Sequence, residues 1–215
     1  MIVPESAAEL IGKFLPSFVG ELLARGAPAP AQRPLGPGAK APAPAGVGLR
    51  VVGAGEWTLR IVGDASANTA PKLVVEAGIA SDVALQISLA ERDFAALVVA
   101  PLQRALAAGT GTGTSAPGLW ARLGRWDEET VELLRRQTGG ILLRIRDGEL
   151  NRCVALTPST QPFSLESAPC TIDCALSDLE QLQAQRGNPL DLFYAGQIRI
   201  SGDAQIALAM AGLFL

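Results

Sequence analysis

Hydrophobic and polar positions change their period several times along the chain, and each change marks an element. In residues 5–25, Leu10, Ile11, Phe14, Leu15, Phe18, Leu22 and Leu23 recur at helical spacing. That predicts an amphipathic helix with Pro16 as its point of bending. Glu5, Glu9 and Lys13 interrupt the run and argue against a signal peptide or a membrane span. The helix reads as packed on the domain that follows or, in the alternative, as touching a membrane or a partner.

From Val47 the period shortens to that of strands. Residues 49–52 and 57–62 flank a turn at Gly53, Ala54 and Gly55 and predict a hairpin. Residues 72–76 and 81–89 give two more strands, and a helix starts at Ala90, with residues 100–108 continuing it past Pro101. Residues 126–137 predict a helix whose acids come early and arginines late, the order that suits its dipole. A second hairpin follows over residues 141–156, turning at Asp147 and Gly148. Residues 163–165 and 170–176 then read as strands, and 177–182 as the start of a helix.

The last stretch is the most informative. Between Gly196 and Gly202, the residues Gln197, Arg199 and Ser201 alternate with Ile198 and Ile200, a short strand with one wet face and one dry face. Asp203 stands where a short side chain caps a helix beginning at Ala204. Gln205 is the only polar side chain after it, so that helix needs a cover of protein or lipid. At about eleven residues it is too short to span a bilayer.

An aromatic residue, glycine, a polar or basic residue, alternating hydrophobes and Gly-Asp form a closing motif that resembles the sterol carrier protein (SCP2-type sterol-transfer) family. Here it is carried by Phe193, Gly196, Gln197, Ile198, Arg199, Ile200, Gly202 and Asp203, and the resemblance reaches back to about Trp120. The family usually has lysine where this chain has Gln197. The resemblance implies an α+β fold: a mostly antiparallel sheet, covered by helices on one face, with an apolar tunnel that the terminal helix helps to close. It places Phe193, Ile198, Ile200, Ile206, Met210, Leu213 and Phe214 as ligand-binding residues lining that tunnel, and each of them reads equally as plain core. Each buried methylene of a lipid tail would contribute roughly 0.8 kcal/mol there, with little selectivity among tails.

The first half runs through a similar order of hairpin, short strand, long strand and helix. Leu59-Arg60-Ile61 echoes Leu143-Arg144-Ile145, and residues 55–60 and 81–94 also look like the sterol carrier family. The chain therefore reads as a helix at 1–25, a Pro/Ala-rich linker at 26–48, a degenerate copy at 49–108, a Gly/Thr linker at 109–118 and a full copy at 119–215. The alternative is one domain with an elaborated front half. The glycine run at 109–113 lacks the preceding strand and the lysine of a phosphate loop.

Composition narrows the chemistry. Across 215 residues the net charge is −3, which offers no basic footprint for nucleic acid. Histidine is absent, removing imidazole catalysis and most zinc sites. Cys153, Cys170 and Cys174 are too few and too irregular for a disulfide framework or a four-cysteine zinc site; they read as buried reduced thiols, or less simply as one disulfide or redox pair, and suit a reducing cytoplasm. Glu128, Glu129 and Glu132 read as a solvated face, and Asp173 and Asp178 as strand and turn residues rather than catalytic partners. The expectation is a cytoplasmic, non-catalytic binder and carrier of a sterol, acyl or isoprenoid lipid, with no metal or cofactor. Its partners would be that apolar ligand and a transient membrane surface or protein. The alternative is a scaffold or accessory module that holds a protein partner in lipid or quinone metabolism. The chain ends Gly-Leu-Phe-Leu, which is not a peroxisomal signal.

Overall fold

The computed structural model describes residues 3–24, 46–62, 72–107, 128–158, 168–183 and 189–211. The strand expected at 163–165, the Gly/Thr linker and all but the end of the Pro/Ala-rich linker lie outside the described residues.

Helix α1 runs as α-helical Ala7–Glu9, π-helical Leu10–Phe14 and α-helical Leu15–Ala24. Strands β1 (Gly46–Val52), β2 (Gly55–Val62), β3 (Lys72–Ala77) and β4 (Val83–Ala90) follow. Helix α2 repeats the pattern of α1, with α-helical Glu91–Phe94, π-helical Ala95–Val99 and α-helical Ala100–Ala107. The second half contains α3 (Glu128–Arg136), β5 (Ile141–Asp147), β6 (Leu150–Thr157), β7 (Cys170–Ala175), α4 (Leu176–Gln183), α5 (Pro189–Tyr194), β8 (Arg199–Gly202) and α6 (Ala204–Ala211).

Both π-helical stretches end two residues before a proline, Pro16 and Pro101. The residue between donates its N–H five positions back, Leu15 to the Leu10 carbonyl and Ala100 to the Ala95 carbonyl. A proline ring in a regular helix collides with the carbonyl four residues earlier, and the wider π turn gives it room. Each helix therefore continues past its proline instead of stopping there.

The eight strands among the described residues form one sheet in the order β3-β2-β1-β4-β6-β5-β7-β8. Neighbours are antiparallel except β1 with β4 and β5 with β7, which run parallel. The register lines up Val51, Leu89, Val154, Leu143, Ile172 and Ile200 as one row crossing six strands. This apolar face continues from one half of the chain into the other. Leu10, Ile11, Phe14, Leu15, Phe18 and Val19 of α1 join the same buried cluster, together with Phe94, Val99 and Leu102 of α2. The apolar stripe of the first helix is thus buried in the core as far as Phe18, as the packed reading of that helix expected.

The two halves meet at β4 and β6, paired over only the stretch from Gln86↔Thr157 to Leu89↔Val154. Where the ladder stops, the Cys153 N–H donates to Oδ2 of the buried Asp93 at 3.2 Å. Arg152 Nη1 lies 3.5 Å from Asp93 Oδ1, within ion-pair range but without a hydrogen bond to it. The same guanidinium reaches Asp147 at 2.8 Å. A carboxylate of the first half thus takes over from the backbone ladder in holding a strand of the second.

Each half has a hairpin whose first strand pairs in parallel with a later strand, and that later strand runs directly into a helix. The third residue of both helices is a buried aspartate, Asp93 in α2 and Asp178 in α4. Asp178 stays local, accepting the Ala175 N–H at 3.1 Å.

Candidate functional site

The closing motif folds into a turn, a short strand and a cap, each with a physical cause. Pro189 opens α5, a position where its missing N–H is no loss. The Gly196 N–H donates to the Phe193 carbonyl and the Gln197 N–H to the Leu192 carbonyl, both at 2.9 Å. Gly196 itself has φ +71°. This is the Schellman arrangement, whose left-handed residue is almost always glycine. Gly196 therefore ends a helix and does not begin a strand, and β8 is correspondingly shorter than the interval between the two glycines.

Gly202 has a second constraint. At φ +81° it passes so close to the chain before β7 that a Cβ would collide with the Pro169 carbonyl oxygen. That carbonyl accepts the Asp203 N–H at 2.8 Å, and Asp203 Oδ1 accepts the Gln205 N–H at 2.9 Å. The Gly-Asp pair thus crosses the chain under Pro169 and starts α6 over β7.

The expected ligand-binding residues are distributed unevenly. Ile206 is buried and Ile198 and Ile200 are half-buried against the same cluster, with Ile200 paired across the ladder to Ile172. Phe193 stands apart, 43% exposed, with its ring edge-on to Tyr194 at 5.9 Å between centroids. The side chain of Met210 and residues Leu213 and Phe214 lie outside what is described. Leu208, on the helix expected to be covered all round, is 67% exposed.

The site offers little reactivity. Cys170 and Cys174 both lie on the apolar face of β7 as free thiols. Burial, only partly offset by a backbone hydrogen bond from Ala207, raises the Cys170 thiol above its usual range, and Asp203 adds to the rise. Burial, then the Asp178 carboxylate, pushes the Cys174 thiol up to about 11. Both thiols stay protonated at neutral pH and are poor nucleophiles. Among the described residues, no group of acids and cysteines is arranged to hold a metal ion. None of their helices is long and apolar enough to cross a membrane.

The sequence reading missed α5 and the two buried aspartates. Pro189 at the first helical position and Asp191 in the first turn were the available signals for α5. The recurrence of alanine, two residues and aspartate at 90–93 and 175–178 was the signal for the carboxylates.

No curated protein matches the chain. Among solved structures, sterol carrier protein 2-like 2 from Aedes aegypti aligns with a TM-score of 0.31 and 19% identity, over 40% of this chain and 93% of its own. The palmitated protein of that name from Aedes aegypti gives 0.35 and 21%, over 46% and 94%. The ubiquinone synthesis protein UbiJ-SCP2 gives 0.32 and 16%, over 42% and 80%. Residues 121–215, which contain α3 to α6 and β5 to β8, match the model of the SCP-2 sterol transfer family.

Proposed function

We propose that the second half of the chain binds an apolar lipid between α6 and the apolar face of β7 and β8, and carries it without altering it. Lipid binding or transfer in general is what the family match supports. The observation that carries the finer reading is the apolar seat formed by Ile172, Ile198 and Ile200 together with Ile206 of the short helix rooted at Gly202 and Asp203. Such a seat recognises a hydrocarbon tail by burial alone, so a sterol, an acyl chain and an isoprenoid all fit the chemistry. Met210, Leu213 and Phe214 would complete the lining and Phe193 would border its entrance. We further propose that residues 49–108 are a degenerate copy of the unit in residues 119–215. The shared hairpin, parallel strand, helix and buried aspartate support this.

Native mass spectrometry of detergent-free protein, followed by organic extraction, tests the carrier reading. A stoichiometric lipid is expected, reduced in Met210→Glu or Phe214→Glu and retained in Leu208→Glu. Protein that is empty and also fails to take up a fluorescent fatty acid or sterol would overturn carriage. It would favour the reading as a scaffold for a protein partner, which draws on the exposed Leu208 of α6.

A further inference from the structure

Away from the core, the outer faces of the two halves differ in charge balance. In the first half, Arg50 pairs with Glu56, and Arg60 pairs with Glu76 and Asp82. In the second half the register places Arg144, Asp173 and Arg199 in one row across β5, β7 and β8, on the face opposite Leu143 and Ile172. Arg146 projects from the same face two residues beyond Arg144. Asp173 lies 3.9 Å from Arg144, whose side chain is still 50% exposed. Arg146 and Arg199, both exposed, have no ion-pair partner among the described residues. With strands about 4.8 Å apart and residues about 3.3 Å apart along each, the arginines sit within roughly 12 Å of one another, opposed on that face by a single acid among the described residues.

An aromatic side chain borders this patch at the end where β7 finishes. Tyr194, one turn of chain before β8, is 82% exposed beside Phe193. One aromatic pair beside three arginines makes no continuous apolar patch of the kind a protein interface buries. A lipid interface accepts it alone, the tyrosine ring at headgroup level and the guanidiniums on phosphates.

We propose that this face, Arg144, Arg146 and Arg199 with Tyr194 at its border, docks the protein on an anionic phospholipid bilayer. The net charge of −3 does not oppose this, because at physiological salt charges act over about 8 Å and only the apposed face is felt. The surface is separate from the apolar seat, so docking does not depend on carriage.

The test is sedimentation of the full chain with vesicles of phosphatidylcholine, with and without phosphatidylglycerol, at several salt concentrations. Binding is expected only with phosphatidylglycerol, falling as salt rises. At the usual contribution of one arginine near such a surface, replacing Arg144, Arg146 and Arg199 together by Gln weakens binding about a hundredfold. Tyr194→Ala also weakens it, while Arg50→Gln, on the paired face, leaves it unchanged. Wild-type binding by the triple variant, with an unchanged melting curve, overturns the proposal. So does binding indifferent to phosphatidylglycerol. Failure to bind either vesicle, with salt-sensitive retention on a polyglutamate resin, also overturns it and assigns the face to an acidic protein. Ligand uptake, measured separately, reports on carriage alone.

Discussion

The halves on either side of the β4–β6 junction use the same local parts and stabilise them differently. In the second half, Asp178 accepts a backbone N–H three residues away and the chain closes on itself through Gly202, Pro169 and α6. In the first, Asp93 sits at the same helical position but binds a strand of the other half. No described strand of the first half flanks β4 on its outer side; β6 occupies that edge. The same aspartate is a cap in one context and a clasp in the other, according to which backbone lies within reach.

That difference can be broken most severely by removing residues 1–107. The remaining half would expose the β6 edge and leave Arg152 with Asp147 but without Asp93, and the expected outcome is loss of a monomeric, cooperatively unfolding species. Size-exclusion chromatography and circular dichroism would show it, and a well-folded monomer would mean the junction is dispensable.

Next in size is a pair of substitutions. Asp93→Ala removes an acceptor and one charge partner of the half-buried Arg152 and should cost about 3 kcal/mol. Asp178→Ala removes a local cap and should cost about 1 kcal/mol. Urea midpoints at constant m would read both, and equal losses would dissolve the distinction.

A third substitution sharpens the role of the crossing, for which the described residues of the first half show no counterpart. Gly202→Ala must displace the Pro169 carbonyl as well as hold a positive φ, and should cost about 2 to 3 kcal/mol. Gly78→Ala, at φ +84° with open space around it, should cost about 1 kcal/mol. The same urea midpoints separate them.

The smallest effect depends on pH. The Cys174 thiol ionises near 9 in the unfolded chain and near 11 in the fold, so the native state disfavours the thiolate. Stability is therefore flat with respect to this group below pH about 9 and falls as pH rises, by about 2 kcal/mol at pH 11. Cys174→Ala should flatten that part of the curve, measured as the difference in unfolding free energy between pH 8 and 10.5.

Some of this was legible in the sequence because it depended on neighbours in the chain. Asp147 and Gly148 mark a hairpin by turn chemistry alone, and Asp203 marks the start of α6 because a cap acts within three residues. The alternation of Ile198 and Ile200 with Arg199 gave the correct faces, although Gly196 proved to close a helix. Helix α5 was missed because six residues hold too little of the helical period to stand out. The π turns carry no periodic signal, since one widened turn shifts the pattern without erasing it. The β4–β6 pairing was invisible for another reason: any two strands with one dry face are compatible, and only the tertiary fold chooses between them.

The junction also has a consequence for synthesis. Translation delivers β1 to β4 and α2 while the strand that will cover the outer edge of β4 does not yet exist. Through that interval the nascent chain presents a bare strand edge carrying Leu85, Ile87 and Leu89, the kind of surface on which neighbouring chains aggregate. Slow elongation between Ala107 and Leu150 would prolong the exposure, and this chain should depend on a chaperone most during that interval, before its second half emerges.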